Sequence, residues 1–497
     1  MNTKLLKQKI LDLAIRGKLT QQLKSDGTAA DLLKEIADAK SSLSQPKGKK
    51  SKKFAPISRI YCENGVWFEQ LENAKPKDIS EEIPFEIPEN WTWCRLECVC
   101  FDIADIDHKM PAVCDNGIPY ISPLNFVANN KIDFAGAKKI SKEDFLQLSK
   151  KCKPERGDII FPRYGTIGVI RTVETDIDFL VSYSCATIKP CKNHMDARFV
   201  SALLQSPLIQ EIEIPRYINK TTQANVGLQS IKKFLFALPP LAEQQRIVEK
   251  IQESFAEIDS IENNKELLKT HIKQARQKIL DLAIHGKLVP QNKTDEPASV
   301  LLERITSDNP HYEKLTDVPF EIPGSWEWVK LGNIGKWQSG TTPSKSNSSY
   351  YKDGTIPWLN TGDLNDGIIR EIPKKVTEKA LAETSLRLNE AGSVCIAMYG
   401  ATIGKIGILS MPATTNQACC VCNNLKNFVN QMWLFYFLKN HKQEFIEAGF
   451  GGAQPNISKE KIIATPFPLP PLAEQKRIVD RIEEIFALLD EISLHLV

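Results

Sequence analysis

Apolar residues recur at helical spacing in several stretches of the chain and form short, dense runs between them. The N-terminal stretch, MNTKLLKQKILDLAIRGKL, alternates apolar with basic residues and predicts a helix ending near Gly17. A second helix is predicted from about Thr28 to Ser44. After Pro239 and Pro240, Leu241, Val248, Ile251, Phe255 and Ile258 follow at spacings of three and four or their sums. The stripe resumes at Leu268, Ile272, Ile279 and Leu282, and Gly286 stands where a left-handed C-terminal cap belongs. This predicts one helix of about 40 residues, about 60 Å long at 1.5 Å per residue. Near the C-terminus Ile478, Ile482, Ile485, Leu489 and Ile492 predict another. Both stripes are narrow, like a coiled-coil seam. They either pack on their own domains or on one another. Because a long helix leaves too much stripe for the first, an antiparallel coiled-coil pair of spacers is expected.

The segments 83–238 and 318–469 have a different texture. Short runs with β-branched or aromatic residues (DIIFPRY, LVSYSCATIKP, SVCIAMY) are separated by Gly, Pro and Asn, with helical stretches near 199–211 and 431–448. That pattern predicts compact α+β domains with irregular sheets and long loops. QPKGKKSKK (45–53) reads as a basic linker, either solvated or touching phosphates.

An internal repeat organises these elements. QKILDLAIRGKL (8–19) recurs as QKILDLAIHGKL (277–288), and PFEIPENWTW (84–93) as PFEIPGSWEW (319–328). RYGTIGVI (163–170) answers MYGATIGKIG (398–407) with one residue inserted. LPPLAEQQRIVEKIQESFAEID (238–259) recurs as LPPLAEQKRIVDRIEEIFALLD (469–490). The order is the same in both halves, so the chain is a tandem duplication. In the repeat alignment Val497 falls on Glu266 and Met1 on Thr270, leaving only 267–269 without an equivalent. The C-terminal spacer followed by the N-terminal arm therefore imitates the central spacer. The expected plan is circular, with the chain ends close together around a pseudo-two-fold axis. The segments are an N-terminal helical arm with basic linker (1–54), recognition domain 1 (83–238), a central spacer (239–305), recognition domain 2 (318–469) and a C-terminal spacer (470–497).

Bulk composition adds little. The net charge of +3 neither argues for nucleic acid nor against it, so a binding face would have to be local. No stretch approaches the roughly 18 apolar residues of a membrane span, and the N-terminus lacks a signal peptide's apolar core. A soluble, cytoplasmic protein is expected. The cysteine clusters Cys94, Cys98, Cys100 and Cys419, Cys420, Cys422 tempt a zinc reading. The second copy of the first cluster reads WEWVKLGNIG (326–335), without cysteine, and a structural metal should survive in both copies. No metal site is expected. GATIGK (400–405) lacks the spacing and ending of a phosphate loop, and its partner GTIGVI has no lysine. No Asp/Asn-Pro-Pro-Tyr/Phe or His-Glu-x-x-His element is present, and no histidine recurs in both copies. The chain is expected to be non-catalytic, with no cofactor of its own.

What recurs is hydrogen-bonding chemistry in loops. The first copy offers Arg163, Tyr164, Gly165 and Thr166, then Ser182, Tyr183 and Ser184, then Lys220, Thr221, Thr222, Gln223 and Asn225. The second offers Tyr399, Gly400, Thr402 and Lys405, then Asn416 and Gln417, then Gly451, Gly452, Gln454 and Asn456. Glycines admit backbone N–H groups to phosphates, while Arg, Asn and Gln read base edges. The same residue types also build plain turns.

The doubled LPPLAEQ(Q/K)RIV elements, YGTIG and YGATIGK, SGTTPSKSNSSYYKDGTIPWLNTGDL (339–364) and RQKILDLAIHGKL closely resemble the specificity subunit of type I restriction-modification systems. The resemblance covers nearly the whole chain. It implies two target recognition domains, each reading one half of a bipartite site in double-stranded DNA, with Thr341, Thr342 and Ser344 added to the DNA-binding set. It also implies helical spacers that act as a ruler and dock DNA adenine methyltransferase (modification) subunits. Those partners would use S-adenosylmethionine, and ATP-dependent restriction subunits would use ATP and Mg. The 340–344 loop has no clear match near 100–118, although Pro119, Tyr120 and Ile121 answer Pro357, Trp358 and Leu359. Alternative readings are the recognition subunit of a methylation-only or fused type II-like system, and a coiled-coil scaffold that binds no DNA.

Overall fold

The computed structural model describes residues 2–43, 58–71, 74–106, 110–128, 130–219, 224–308, 315–449 and 456–496. Two compact units divide the chain, Met1–Asn264 and Lys265–Val497. The boundary falls inside a single 44-residue helix, Leu241–Ile284, so each unit owns about half of the central spacer. The basic run 45–53 and the expected meeting of Met1 with Val497 involve residues outside the described ones.

In unit 1 the helices Thr3–Ile15 and Ala29–Leu43 precede a three-stranded antiparallel sheet over 59–78. That sheet was not expected. Its hairpin turns on Asn64 and Gly65, both at positive φ, which is the chemistry of a tight two-residue turn. The recognition domain holds a four-stranded sheet in the order Arg171–Thr172, Ile159–Pro162, Cys185–Pro190, Cys100–Ala104. A second four-stranded sheet includes a parallel pair, Ile118–Ile121 with Leu180–Val181. Thr92–Arg95 pairs with Leu235–Leu238 and leads the chain into the long helix.

Unit 2 repeats the plan. Its main sheet runs Lys336–Ser339, Cys419–Asn423, Val394–Ala397, Ile406–Leu409, Gly367–Ile369. Ile356–Leu359 lies parallel to Thr414–Thr415, and Glu327–Lys330 pairs with Pro466–Leu469 before the C-terminal helix Leu472–Leu494.

The helical stripes divide their burial. In unit 1 Ile247, Val248 and Ile251 of the long helix enter the same core as Trp93, Phe236 and the arm residues Leu11, Ala14 and Ile15. In unit 2 Leu280, Ala283 and Ile284 share a core with Ile478, Val479, Ile482 and Phe486. A stripe expected to seek only another helix thus serves its own domain as well. Contacts between the helices run in opposite order along them. Thr3 reaches Glu262, and Gln22, beyond the arm helix, reaches Glu243; Arg276 meets Asp490, and Gln291 meets Glu474. The N-terminal arm partners the first half of the long helix, and the C-terminal helix partners the second.

The cysteines are free thiols, and Cys94, Cys98, Cys100, Cys419, Cys420 and Cys422 are all buried. Burial pushes the Cys420 and Cys185 thiols up to about 12. Among the described residues no helix is long and apolar enough to cross a membrane.

Candidate nucleic-acid interface

Each unit fastens its helix to its domain with a corresponding set of contacts. Glu243, fully buried, accepts from the Trp91 indole at 2.9 Å and from Gln22 at 2.9 Å. Glu474 accepts from Gln291 at 2.5 Å. Burial pushes the Glu474 carboxyl up, opposed by Trp326, Gln291 and Arg477. Gln244 donates to the Pro239 carbonyl (3.0 Å) and accepts from the Asp196 amide (3.0 Å). Gln475 does the same with Pro470 (2.9 Å) and Asn430 (2.7 Å). Arg246–Asp26 and Arg477–Asp295 are matching ion pairs, each at 2.6 Å. Gly17 and Gly286 sit at φ +65° and +66°, where an added Cβ would come 2.4 Å from Pro88 and Pro323 respectively. These are the residues of the doubled sequence motifs, and here they are structural.

The loops at the other ends of the strands are brought together in each unit. In unit 1 the Arg163 amide donates to the Ser184 carbonyl (2.8 Å), and the Val226 amide to the Arg163 carbonyl (3.0 Å). Tyr164 forms a bridge with Asn225. The Ser182 amide donates to Ile121 (2.8 Å), seating 182–184 at the C-terminal end of the parallel strand pair. In unit 2 the Met398 amide donates to Ala418 (2.8 Å), Ile457 to Met398 (2.9 Å) and Asn416 to Leu359 (2.9 Å), and Tyr399 bridges Asn456. The 340–344 loop joins this cluster. Thr341 donates to the Thr415 carbonyl (2.9 Å), Thr342 bonds the Gln417 carboxamide, and the Trp358 indole caps the Thr341 carbonyl (3.1 Å). Ser344 shares a hydrogen bond with Ser346 (2.7 Å), and the Thr402 hydroxyl donates to Tyr399 (3.1 Å). Gly165 and Gly400 turn at φ +67° and +65° with nothing within 4 Å of a Cβ position, so backbone conformation alone demands glycine there.

Exposure sorts the expected contacts. Gly165, Thr166, Ser344, Tyr399, Gln417 and Asn456 are exposed. Tyr164, Ser184, Asn225, Thr341, Thr342, Gly400, Thr402, Lys405 and Asn416 are half-buried. The Asn416 carboxamide oxygen has no hydrogen-bond partner among the described residues. Ser182 is buried, its hydroxyl bonded to that of Ser184, but it lines a cavity of about 330 Å³. Lys220, Thr221, Thr222, Gln223, Gly451, Gly452 and Gln454 lie outside the described residues.

Arg163 requires a correction. It was expected to present its guanidinium to DNA, yet it is 4% exposed. Its Nη2 pairs with Asp105 at 2.5 Å, both side chains 5% exposed, and donates to the Tyr183 carbonyl at 3.1 Å. A guanidinium so enclosed pins three loops and is not available to a base edge. In unit 2 buried Met398 occupies the equivalent position.

Sequence reasoning also missed a loop in each unit. Residues 122–125 and 360–363 are turns following the parallel strands, closed by reciprocal capping boxes. The Ser122 amide donates to Asn125 (3.0 Å), and the Asn360 amide to Asp363 (2.8 Å). The signal was present: a Ser or Asn followed three residues later by Asn or Asp, directly after the matched Pro119–Ile121 and Pro357–Leu359 triplets. Ser122, Leu124 and Asn125 line the same cavity as 182–184, together with Tyr120, whose hydroxyl burial pushes up to about 12.

Comparison with known proteins bears on this arrangement. The type I restriction modification DNA specificity domain matches twice, at residues 89–270 and 323–494. The chain is 23% identical to the type I restriction enzyme EcoEI specificity subunit of Escherichia coli, over 99% of this chain and 90% of that protein. It is 24% identical to the EcoAI specificity subunit of the same organism, over 97% and 88%. Among solved structures, the HsdS subunit from Thermoanaerobacter tengcongensis superposes with a TM-score of 0.53 at 20% identity, covering 83% of this chain and 94% of that one. A chain from a structure of type I R-M complex assembly and conformational transition gives 0.55 at 20% identity, with the same coverage. The structural likeness concerns the fold.

Proposed function

This chain belongs to the type I restriction-modification DNA specificity family, and from that premise we propose that it reads a two-part sequence in double-stranded DNA, one half with each unit. The observation that carries this reading is the contrast within each unit. A scaffold of buried contacts is repeated nearly residue for residue, and it presents a loop cluster of the same architecture but different side chains. Unit 1 offers Tyr164, Gly165, Thr166, Ser184 and Asn225; unit 2 offers Thr342, Tyr399, Lys405, Asn416 and Gln417. Hydroxyls, carboxamides and glycine-backed amides are the groups that contact phosphates and base edges. Because the sets differ, the two half-sites differ in sequence.

The helices dock DNA adenine methyltransferase subunits and, through them, ATP-dependent restriction subunits. Leu5 and Ile261 in unit 1 and Leu488 and Ile492 in unit 2 stay exposed on the helices, which supports docking there. Chemistry stays with the partners, which bring S-adenosylmethionine, ATP and Mg; this chain contributes recognition and needs no cofactor. The complex works in the cytoplasm, beside the chromosome it marks.

The test is to assemble the full-length chain with its modification partner and measure which members of a random duplex library it retains. Enrichment of one two-part sequence is expected. Equal retention of all duplexes would overturn the reading.

A further inference from the structure

Among the described residues, the most exposed large apolar side chain stands on the reading face of unit 1. Leu124 is 94% exposed, while every other exposed large hydrophobic is at most 73%. It occupies the middle of the turn 122–125, whose backbone is held by the Ser122–Asn125 capping box, so the side chain is displayed from a fixed base. The same turn is stitched to its surroundings, since the Asp133 amide donates to the Asn125 carbonyl at 2.8 Å.

Its surroundings suit a base edge. Leu124 and Met110 line the 330 Å³ cavity beside the polar groups of Ser122, Asn125, Ser184 and Lys138, with two tyrosines completing the wall. An apolar group among hydroxyls, a carboxamide and a cation matches the major-groove edge of one base, thymine, which offers a methyl group beside its O4 acceptor. The lysine supplies the charge that a neighbouring phosphate requires. In unit 2 the equivalent turn carries Gly362 at this position, with open space where a side chain would begin. The two units therefore differ in one chemical capability at the same place in the fold.

We propose that Leu124 is a specificity-determining residue that contacts the 5-methyl group of one thymine in the half-site read by unit 1. The inference rests on the DNA-reading function proposed above and adds the base type and the contacting group.

Deoxyuridine in place of thymidine removes only that methyl group, which makes the contact testable by chemistry. The full-length chain is assembled with its modification partner, and binding is measured on the preferred duplex with each thymine of the half-site replaced in turn. One replacement should weaken the wild-type complex about fourfold, the loss expected when one methyl group leaves apolar contact. Leu124→Gly should bind the unmodified duplex about fourfold more weakly and become indifferent to that same replacement, while Leu124→Met keeps the sensitivity. Since Leu124 buries almost nothing, thermal melting of these variants should match the parent. If no single replacement weakens the wild type, or if Leu124→Gly retains the sensitivity, the inference fails while the DNA-reading function stands. If the wild-type complex prefers no duplex at all, both fail together.

Discussion

The two units of this chain agree where side chains are buried in polar networks and disagree where they meet solvent. Glu243 and Glu474, Gln244 and Gln475, Arg246 and Arg477, Gly17 and Gly286 hold corresponding partners, although the indole bond that Trp91 makes to Glu243 is not repeated by Trp326. Around the reading loops the solvent-facing position Leu124 is answered by Gly362, and one buried position departs from the rule, Arg163 against Met398. A buried carboxylate with two or three donors cannot change alone without leaving those donors unmet, at about 1–3 kcal/mol each. An exposed loop residue on a closed turn has no such obligation. The same architecture can therefore hold unlike reading surfaces.

Units also solve one packing problem differently. In unit 2 Tyr436 packs edge-on against Phe486 of the C-terminal helix. In unit 1 the corresponding helix, Ala197–Leu204, carries smaller residues there, and a groove of about 810 Å³ opens beside Phe255. A more consequential difference is the Arg163–Asp105 pair, which unit 2 replaces with an apolar residue.

Breaking that pair should have the largest effect. Asp105→Ala leaves a buried guanidinium without its counter-charge and is expected to cost about 3–5 kcal/mol, read by urea unfolding of the full chain. Combining Arg163→Met, the residue unit 2 carries there, with Asp105→Leu removes both buried charges together and should restore most of the loss. If Asp105→Ala proves silent, the pair is not what holds the loops and Arg163 returns to the list of DNA contacts. A smaller effect sharpens the agreement between units. Gly17→Ala and Gly286→Ala each force a Cβ against a proline at positive φ and should each cost about 1–2 kcal/mol. Nearly equal losses support the equivalence of the two caps; a strong loss at one and none at the other would break it.

Much of this organisation was legible in the sequence because it is periodic or repeated. The long helix, its proline start and its glycine end follow from spacing and caps. The loop clusters were legible as residue types, since Tyr-Gly and the polar segments recur in order. Three things escaped. Arg163 looked available because its partner Asp105 lies in the stretch where the two copies cease to align, and burial has no local signature. The hairpin at Asn64 and Gly65 carries a strong turn signal, but it belongs to an insertion with no counterpart in unit 2, so a reading built on the repeat passed over it. The turns at 122–125 and 360–363 were overlooked because a capping box usually announces a helix, and here it closes a single turn.

On this reading each unit recognises its own half-site independently of the other. Replacing residues 100–235 with the corresponding segment of a relative, and sequencing the methylated sites in cells that carry the hybrid with its modification partner, tests it most directly. One half of the methylated sequence should change and the other half stay as it was. A change in both halves together would contradict it.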